Sequence, residues 1–278
     1  MRNKPTWLRG SRLARAYRRC GRTARRLRFA AAYYRGVPSR IVDWALHSRE
    51  DSNFSYDLTP RNRAYLAATV AVVMNISLDQ AKALLAEPDG EALDYVAKKL
   101  AALGIGEIDK SPSFGRRLGW YGIARALRPR VIVETGVDRG LGSVLLCAAL
   151  QRNTTEGFAG RYYGTDNNPL AGVLLDEPWS QYGKILYGDS IESLSKLGET
   201  VDLFINDSDH SAAYEYREYQ TIKPLLSDRA VILSDNAHAN DMLLRFSEEN
   251  GRRFLFFKEE PRGHWYPGAG IGISFPHR

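Results

Sequence analysis

The sequence predicts an α/β fold, a mostly parallel sheet with flanking helices and an N-terminal helical region in front of it. Three observations carry that expectation. Apolar runs of strand length alternate with helix-like segments from Val131 onward, and an acid stands at the carboxyl end of each of the first five runs. The 278 residues are 44% apolar, enough to fill one such core and leave helices over.

Residues 1–47 form a first, basic segment. The net charge of +7 is concentrated there: residues 1–40 hold thirteen Lys/Arg and no acid, leaving 26 basic against 32 acidic residues in the remainder, a net of −6. Leu13, Tyr17, Cys20, Ala24, Leu27, Ala31 and Tyr34 recur in alternating steps of four and three with arginines between them, which predicts an amphipathic helix. Such a helix suits an anionic membrane surface, packing on its own protein, or nucleic acid.

Residues 48–110 form a second, helical segment, a subdomain or lid. Thr59 and Pro60 open a helix with a cap and a proline at its first position, and Leu66, Val70 and Val73 share one face. Ser77 and Gln80 have capping-box spacing. Asp89 is expected to cap a third helix, whose stripe of Leu93, Val96, Leu100 and Leu103 stops at Gly104.

Residues 111–278 form the main domain. A helix from Ser111 to Leu127 leads into strand one at Val131, and strands follow at Arg161–Thr165, Lys184–Gly188, Val201–Asn206 and Ala230–Ser234. Ser143–Gln151, the loop-rich stretch with Leu170–Leu175, Ile191–Leu197 and Ala212–Leu226 lie between them, as right-handed crossovers of a parallel sheet require. Arg253–Phe257 and Gly270–Phe275 read as two further strands.

Strand one runs into a glycine turn, VIVETGVDRGLGSVLL, where Gly136, Gly140 and Gly142 let backbone approach a ligand. The order is not the Gly-x-Gly-x-x-Gly of dinucleotide sites, and no Gly-Lys-Ser/Thr follows to make a phosphate loop. The terminal acids are Glu134, Asp166, Asp189, the group Asp207-Ser-Asp209-His210, and Asp235-Asn236. One such acid is usually a cap or turn former, but acid after all five strands marks a ligand rim. Cys20 and Cys147 are far apart, so neither a disulfide framework nor a zinc site is expected. No apolar run approaches the roughly 20 residues that cross a bilayer, and the start lacks the apolar centre of a secretory signal. A cytoplasmic protein, at most peripheral at the membrane, is expected.

The spacing Glu134-Thr-Gly136-Val-Asp-Arg-Gly140 resembles the first motif of class I S-adenosylmethionine-dependent methyltransferases. The pattern Asp207-Ser-Asp209-His210 with Asp235-Asn236 resembles their metal-dependent O-methyltransferases, of the catechol, caffeoyl-coenzyme A and sugar-modifying types. The resemblance implies a Rossmann-like sheet of seven strands closed by an antiparallel pair. It implies that Glu134, Gly136, Gly140, Gly142, Asp166, Asp189 and Ser190 bind S-adenosyl-L-methionine, Asp166 through the ribose hydroxyls and Asp189 and Ser190 beside the adenine. Asp207, Asp235 and Asn236 would hold Mg2+, a hard cation suited to oxygen ligands, beside a hydroxyl acceptor on a sugar or phenolic small molecule. His210, with Asp209 as second candidate, would take the acceptor's proton. A metal-independent methyltransferase and a non-catalytic, membrane-associated protein of the same fold are the alternatives. Nucleic acid is not the expected acceptor, because no Asn/Asp-Pro-Pro-aromatic motif follows strand four. A homo-oligomer is left open.

Overall fold

The computed structural model describes residues 12–50, 52–104 and 112–277. It divides into two compact units, one ending at Ser48 and the other beginning at Arg49. The first unit holds α1 (Arg12–Tyr33) and α2 (Val37–His47), joined through Gly36 in the left-handed conformation. Every described side chain of α1 is exposed, Leu27, Phe29 and Tyr33 by 66–76%. The Leu13 and Tyr17 side chains of the expected stripe lie outside the described residues.

The second unit opens with α3 (Pro60–Met74), α4 (Leu78–Ala86) and α5 (Glu91–Ala102). Thr59 Oγ1 accepts from the Asn62 amide, and Ser77 and Gln80 make both bonds of the capping box, as their spacing predicts. Two expectations are corrected. Asp89 is not a cap: Pro88 bends Glu87–Asp89 into a 3-10 turn, Gly90 takes the capping position, and the Asp89 carboxylate pairs with Arg63. Leu103 is 44% exposed because α5 has already ended at Ala102.

Of the helix expected from Ser111, Ser111 itself lies outside the described residues, and residues 112–114 are not helical. Its remainder begins with a 3-10 turn at Gly115–Arg117 and continues as α6 (Leu118–Leu127). The sheet comprises β1 (Val131–Thr135), β2 (Arg161–Asp166), β3 (Gly183–Tyr187), β4 (Val201–Asn206), β5 (Leu226–Asp235), β6 (Arg253–Lys258) and β7 (Gly270–Phe275). Their order is β3-β2-β1-β4-β5-β7-β6, with β1 to β5 parallel and β7 antiparallel to both neighbours. The crossover helices are α7 (Leu141–Thr155), α8 (Ser190–Ser195) and α9 (Ala212–Ile222), while α10 (Met242–Glu249) links β5 to β6. Leu170–Leu175, between β2 and β3, forms turns, which leaves edge strand β3 only half covered.

Two apolar layers sandwich the sheet. Leu66, Val70, Trp120 and Leu145, from α3, α6 and α7, fill one face, and Leu194, Tyr219 and Phe246, from α8, α9 and α10, fill the other. Each fully buried Leu or Phe contributes roughly 1.5–3 kcal/mol relative to exposure. The chain reverses its direction of travel across the sheet between β1 and β4. The loops at their carboxyl ends therefore part and open a crevice, and that crevice holds the candidate site.

Candidate functional site

A cleft of about 820 Å³ lies over the carboxyl ends of the parallel strands. Its walls carry six aspartates, 138, 166, 189, 207, 209 and 235, and two arginines, 116 and 117. Such a lining repels polyphosphates and suits a ligand with cationic and hydroxyl groups.

The loop after β1 is the floor. Gly136 holds φ +79°, and a Cβ there would stand 2.0 Å from the Asp207 carbonyl oxygen, so only glycine lets the β1 and β4 loops meet. The next two amides, of Val137 and Asp138, both donate to Asp166 Oδ2 at 3.0 Å, and the Asn168 amide donates to Oδ1 at 2.8 Å. Asp166 thus ties the β1 loop to β2, and its Oδ1, with a single bond, keeps a lone pair for a ligand. Asp138 and Asn236, both on the rim, are held at φ 48° and 57°, in the left-handed region that Asp and Asn tolerate best.

Asp189 caps α8 by accepting from the Glu192 amide at 3.0 Å, and its other oxygen accepts from Tyr214 Oη at 2.9 Å. The cap and the tyrosine bond hold its carboxyl below the usual range. Ser190 Oγ bonds Tyr214 at 2.9 Å and also the buried Glu218. Glu218 further accepts from Asn206 and Ser208, so this one α9 carboxylate, raised by desolvation, pins the ends of β4 and α8 together. Its sequence context, a glutamate in the polar run YEYREYQ, does not distinguish it from a solvent-facing residue.

Glu134, Gly140 and Gly142 are not part of the cleft wall. Glu134 is 1% exposed and accepts from Tyr162 Oη at 2.5 Å and Ser143 Oγ at 3.4 Å, with its pKa pushed up to about 7 by burial. A Cβ on Gly142 would come within 2.4 Å of Glu134 Oε1 and 2.8 Å of the Trp120 ring. That glycine serves the packing of α7 onto β1. Gly140 begins α7 and faces Gly172.

The far end of the cleft holds the second acidic cluster. Asp235 is fully buried, and Arg116 binds it with a two-pronged contact, Nε to Oδ1 at 2.5 Å and Nη2 to Oδ2. Arg116 Nη1 reaches Tyr56 Oη and, at 3.5 Å, Glu259, and Tyr56 in turn donates to Glu259 at 2.7 Å. Burial alone would raise the Asp235 carboxyl, but Arg116 holds it down to about 2. Its neighbour Asp207 moves the opposite way, raised by desolvation and by the Asp235 charge. Asp207 Oδ2 stands 3.8 Å from Arg117 Nη2, and its Oδ1 stands 3.6 Å from His210 Nε2. His210 Nδ1 faces the buried Glu215 at 3.3 Å, a contact that raises the imidazole pKa, and Asn236 Nδ2 lies 3.1 Å from Nε2. Asp209 is exposed, accepting from the Ser211 amide at 2.8 Å in a local turn before α9.

Asp207, Asp235, Asn236 and His210 are therefore brought together, but they do not fit a magnesium ion. Both oxygens of Asp235 are committed to Arg116, the Asn236 amide nitrogen is turned to His210, and two guanidinium groups already supply the positive charge. Among the described residues, no group of three or more His, Cys, Asp or Glu side chains is arranged to hold a metal ion. The arginines, Tyr56 and Glu259 are the site residues that sequence reasoning missed. An Arg-Arg pair inside an otherwise apolar helix, SFGRRLGWYG, was the available signal.

Residues 133–237 match the family model of a methyltransferase domain. A search of the curated proteins found no match. Among solved structures, the chain is similar to a candidate O-methyltransferase from Klebsiella pneumoniae, with 14% identity, TM-score 0.51, and coverage of 69% of this chain and 92% of that one. It is also similar to a candidate caffeoyl-CoA O-methyltransferase from Staphylococcus aureus, at 12% identity and TM-score 0.50, over 72% and 100% of the two chains. A cofactor-bound protein from MTB aligns at 18% identity and TM-score 0.51, over 66% and 89%. The glycine loop at the switch between β1 and β4, the strand order and these likenesses thus agree on the fold: the chain has the class I methyltransferase fold, and its residues 133–237 are similar to a methyltransferase domain.

Proposed function

We propose that the protein transfers a methyl group from S-adenosylmethionine to a hydroxyl oxygen of a small molecule, without a metal ion. One observation supports this above the rest. The cleft pairs an acid-lined end, at Asp166 and Asp189, with an end where a half-buried carboxyl, Asp207, faces a guanidinium.

The acid-rich lining fits a cofactor that carries a sulfonium, an ammonium and two ribose hydroxyls. Asp166 would hold the ribose, Asp189 and Ser190 the adenine end, and the backbone at Gly136 the methionine part. When bound, the cofactor supplies an electrophilic methyl group. What is left to the protein is to place the acceptor oxygen and remove its proton. Asp207 is the cleft-lining carboxylate that stands beside Arg117, and it is the proposed acceptor of this proton. Burial makes its carboxylate more basic than usual, and His210, oriented by Glu215, stands behind it. Magnesium has no part in this reading, which is supported by Arg116 engaging both oxygens of Asp235 and by Arg117 facing Asp207. The acceptor is a small molecule, and the basic α1 helix associates with anionic membrane surface. Calorimetric titration with S-adenosylhomocysteine, with and without magnesium, tests the reading. Tight binding that magnesium does not alter supports it, and absence of binding removes it.

A further inference from the structure

We propose that Arg117 is the cation that stabilises the acceptor oxygen as it loses its proton, and that the acceptor is accordingly a phenol rather than a sugar. This rests on the methyl-transfer reading above.

The two neighbouring arginines are used differently. Arg116, on the buried side of the turn, spends its donors on Asp235, Tyr56 and Glu259. Arg117 lines the cleft, its side chain only 17% exposed, with its guanidinium against the buried Trp120 ring at 5.4 Å from the ring centre. The indole holds the cation in place and leaves its edge facing Asp207. The 3.8 Å separation between Arg117 Nη2 and Asp207 Oδ2 is too long for a hydrogen bond. An oxygen at hydrogen-bond distance from both atoms closes a triangle over that gap. A hydroxyl seated there donates to Asp207 and accepts from Arg117.

The step then balances on these residues. The hydroxyl proton passes to the Asp207 carboxylate, and an oxygen lone pair forms the new bond to the methyl carbon. The electrons of the breaking sulfur–methyl bond return to sulfur, which leaves as a thioether, and Asp207 later releases its proton to water. Proton transfer neutralises Asp207, so the Arg117 charge, previously opposed by the carboxylate, is left facing the oxyanion alone.

Magnitude decides the acceptor class. At an effective dielectric of about 20, a cation about 4 Å from an oxyanion lowers the pKa of the hydroxyl by about three units. A phenol, ordinarily near 10, is brought to about 7, within reach of a neighbouring carboxylate that desolvation has made more basic than usual. An aliphatic hydroxyl, about as weak an acid as water, is lowered by the same amount and stays far out of a carboxylate's reach without a metal ion.

The test uses the full chain, loaded with S-adenosylhomocysteine in magnesium-free buffer, with 4-nitrophenol as an optical probe whose phenolate absorbs apart from the phenol. The bound probe is expected to ionise two to three pH units lower in the wild type than in Arg117→Ala, with Arg117→Lys between them. Arg117→Gln replaces the alanine variant if that chain does not fold. Equal ionisation in wild type and variant overturns the role of Arg117. Failure of the loaded wild type to bind the probe, or faster methylation of methyl glucoside than of phenol, overturns the acceptor class. Failure to bind S-adenosylhomocysteine at all overturns the methyl-transfer reading instead, so the two cannot be confused.

Discussion

Replacing Glu134 by glutamine is expected to change the pH dependence of stability in a direction that its burial dictates. The carboxyl is 1% exposed and its folded-state pKa is about 7, against an ordinary value of 4.5. Between those two values the unfolded chain has released its proton and the folded chain has kept it, so stability falls as pH rises through that window. At about 1.4 kcal/mol per pKa unit, the 2.5-unit shift amounts to about 3 kcal/mol lost between pH 4.5 and pH 7. Glutamine cannot ionise, so this loss disappears. It can still accept from Tyr162 and Ser143, but its amide nitrogen enters an apolar space beside Gly142 and Trp120, at a cost of about 1–3 kcal/mol at every pH. Glu134→Gln should therefore be the less stable protein at pH 5 and match or exceed the wild type at pH 8. Urea unfolding followed by tryptophan fluorescence, at unit steps from pH 5 to 8, gives the difference curve. Contributions from Asp207, Glu218 and His210 are common to both chains and cancel. A difference that stays level to within about 1 kcal/mol would show that Glu134 is ionised in the folded protein, and would refute the burial argument.

Further outcomes follow from the same geometry. Turnover should survive chelation by EDTA, measured as release of S-adenosylhomocysteine; abolition by chelator and rescue by magnesium would restore the metal reading. Gly136→Ala places a methyl group 2.0 Å from the Asp207 carbonyl in a backbone conformation that alanine resists, and should weaken S-adenosylhomocysteine binding at least about tenfold by calorimetry. Arg116→Met leaves Asp235 and Glu259 as uncompensated buried charges and should cost about 3–5 kcal/mol, read as a fall in melting temperature of roughly 10 °C or more. Removing residues 1–48 should leave the sheet folded, since the second compact unit contains all seven strands, and should abolish co-sedimentation with anionic liposomes. Retained co-sedimentation would dismiss the membrane role of the basic segment.

What local chemistry specifies was legible from residues alone. Alternating runs announced the parallel sheet, Thr59 and Ser77 announced their helices, and the terminal aspartates announced the rim, because periodicity, capping and turn chemistry act over a few residues. Strand and helix edges drifted where two signals met, as at Pro88, where a backbone constraint outweighed the carboxylate of Asp89. The glycine motif pointed to a loop that lines the cleft but could not divide its residues. Gly136 faces the cleft, whereas Glu134 and Gly142 are sealed in the contact between β1 and α7, a distinction set by how that helix sits on β1.

Only the tertiary structure decided the charge at the far end of the cleft. Asp235 and Asn236 read as metal ligands as long as their partners were sought nearby, yet the cation that meets Asp235 comes from Arg116, 119 residues away, in the 3-10 turn that leads into the largely buried helix α6. A carboxylate's partner is chosen by a few ångströms of three-dimensional approach, and no spacing along the chain encodes that distance.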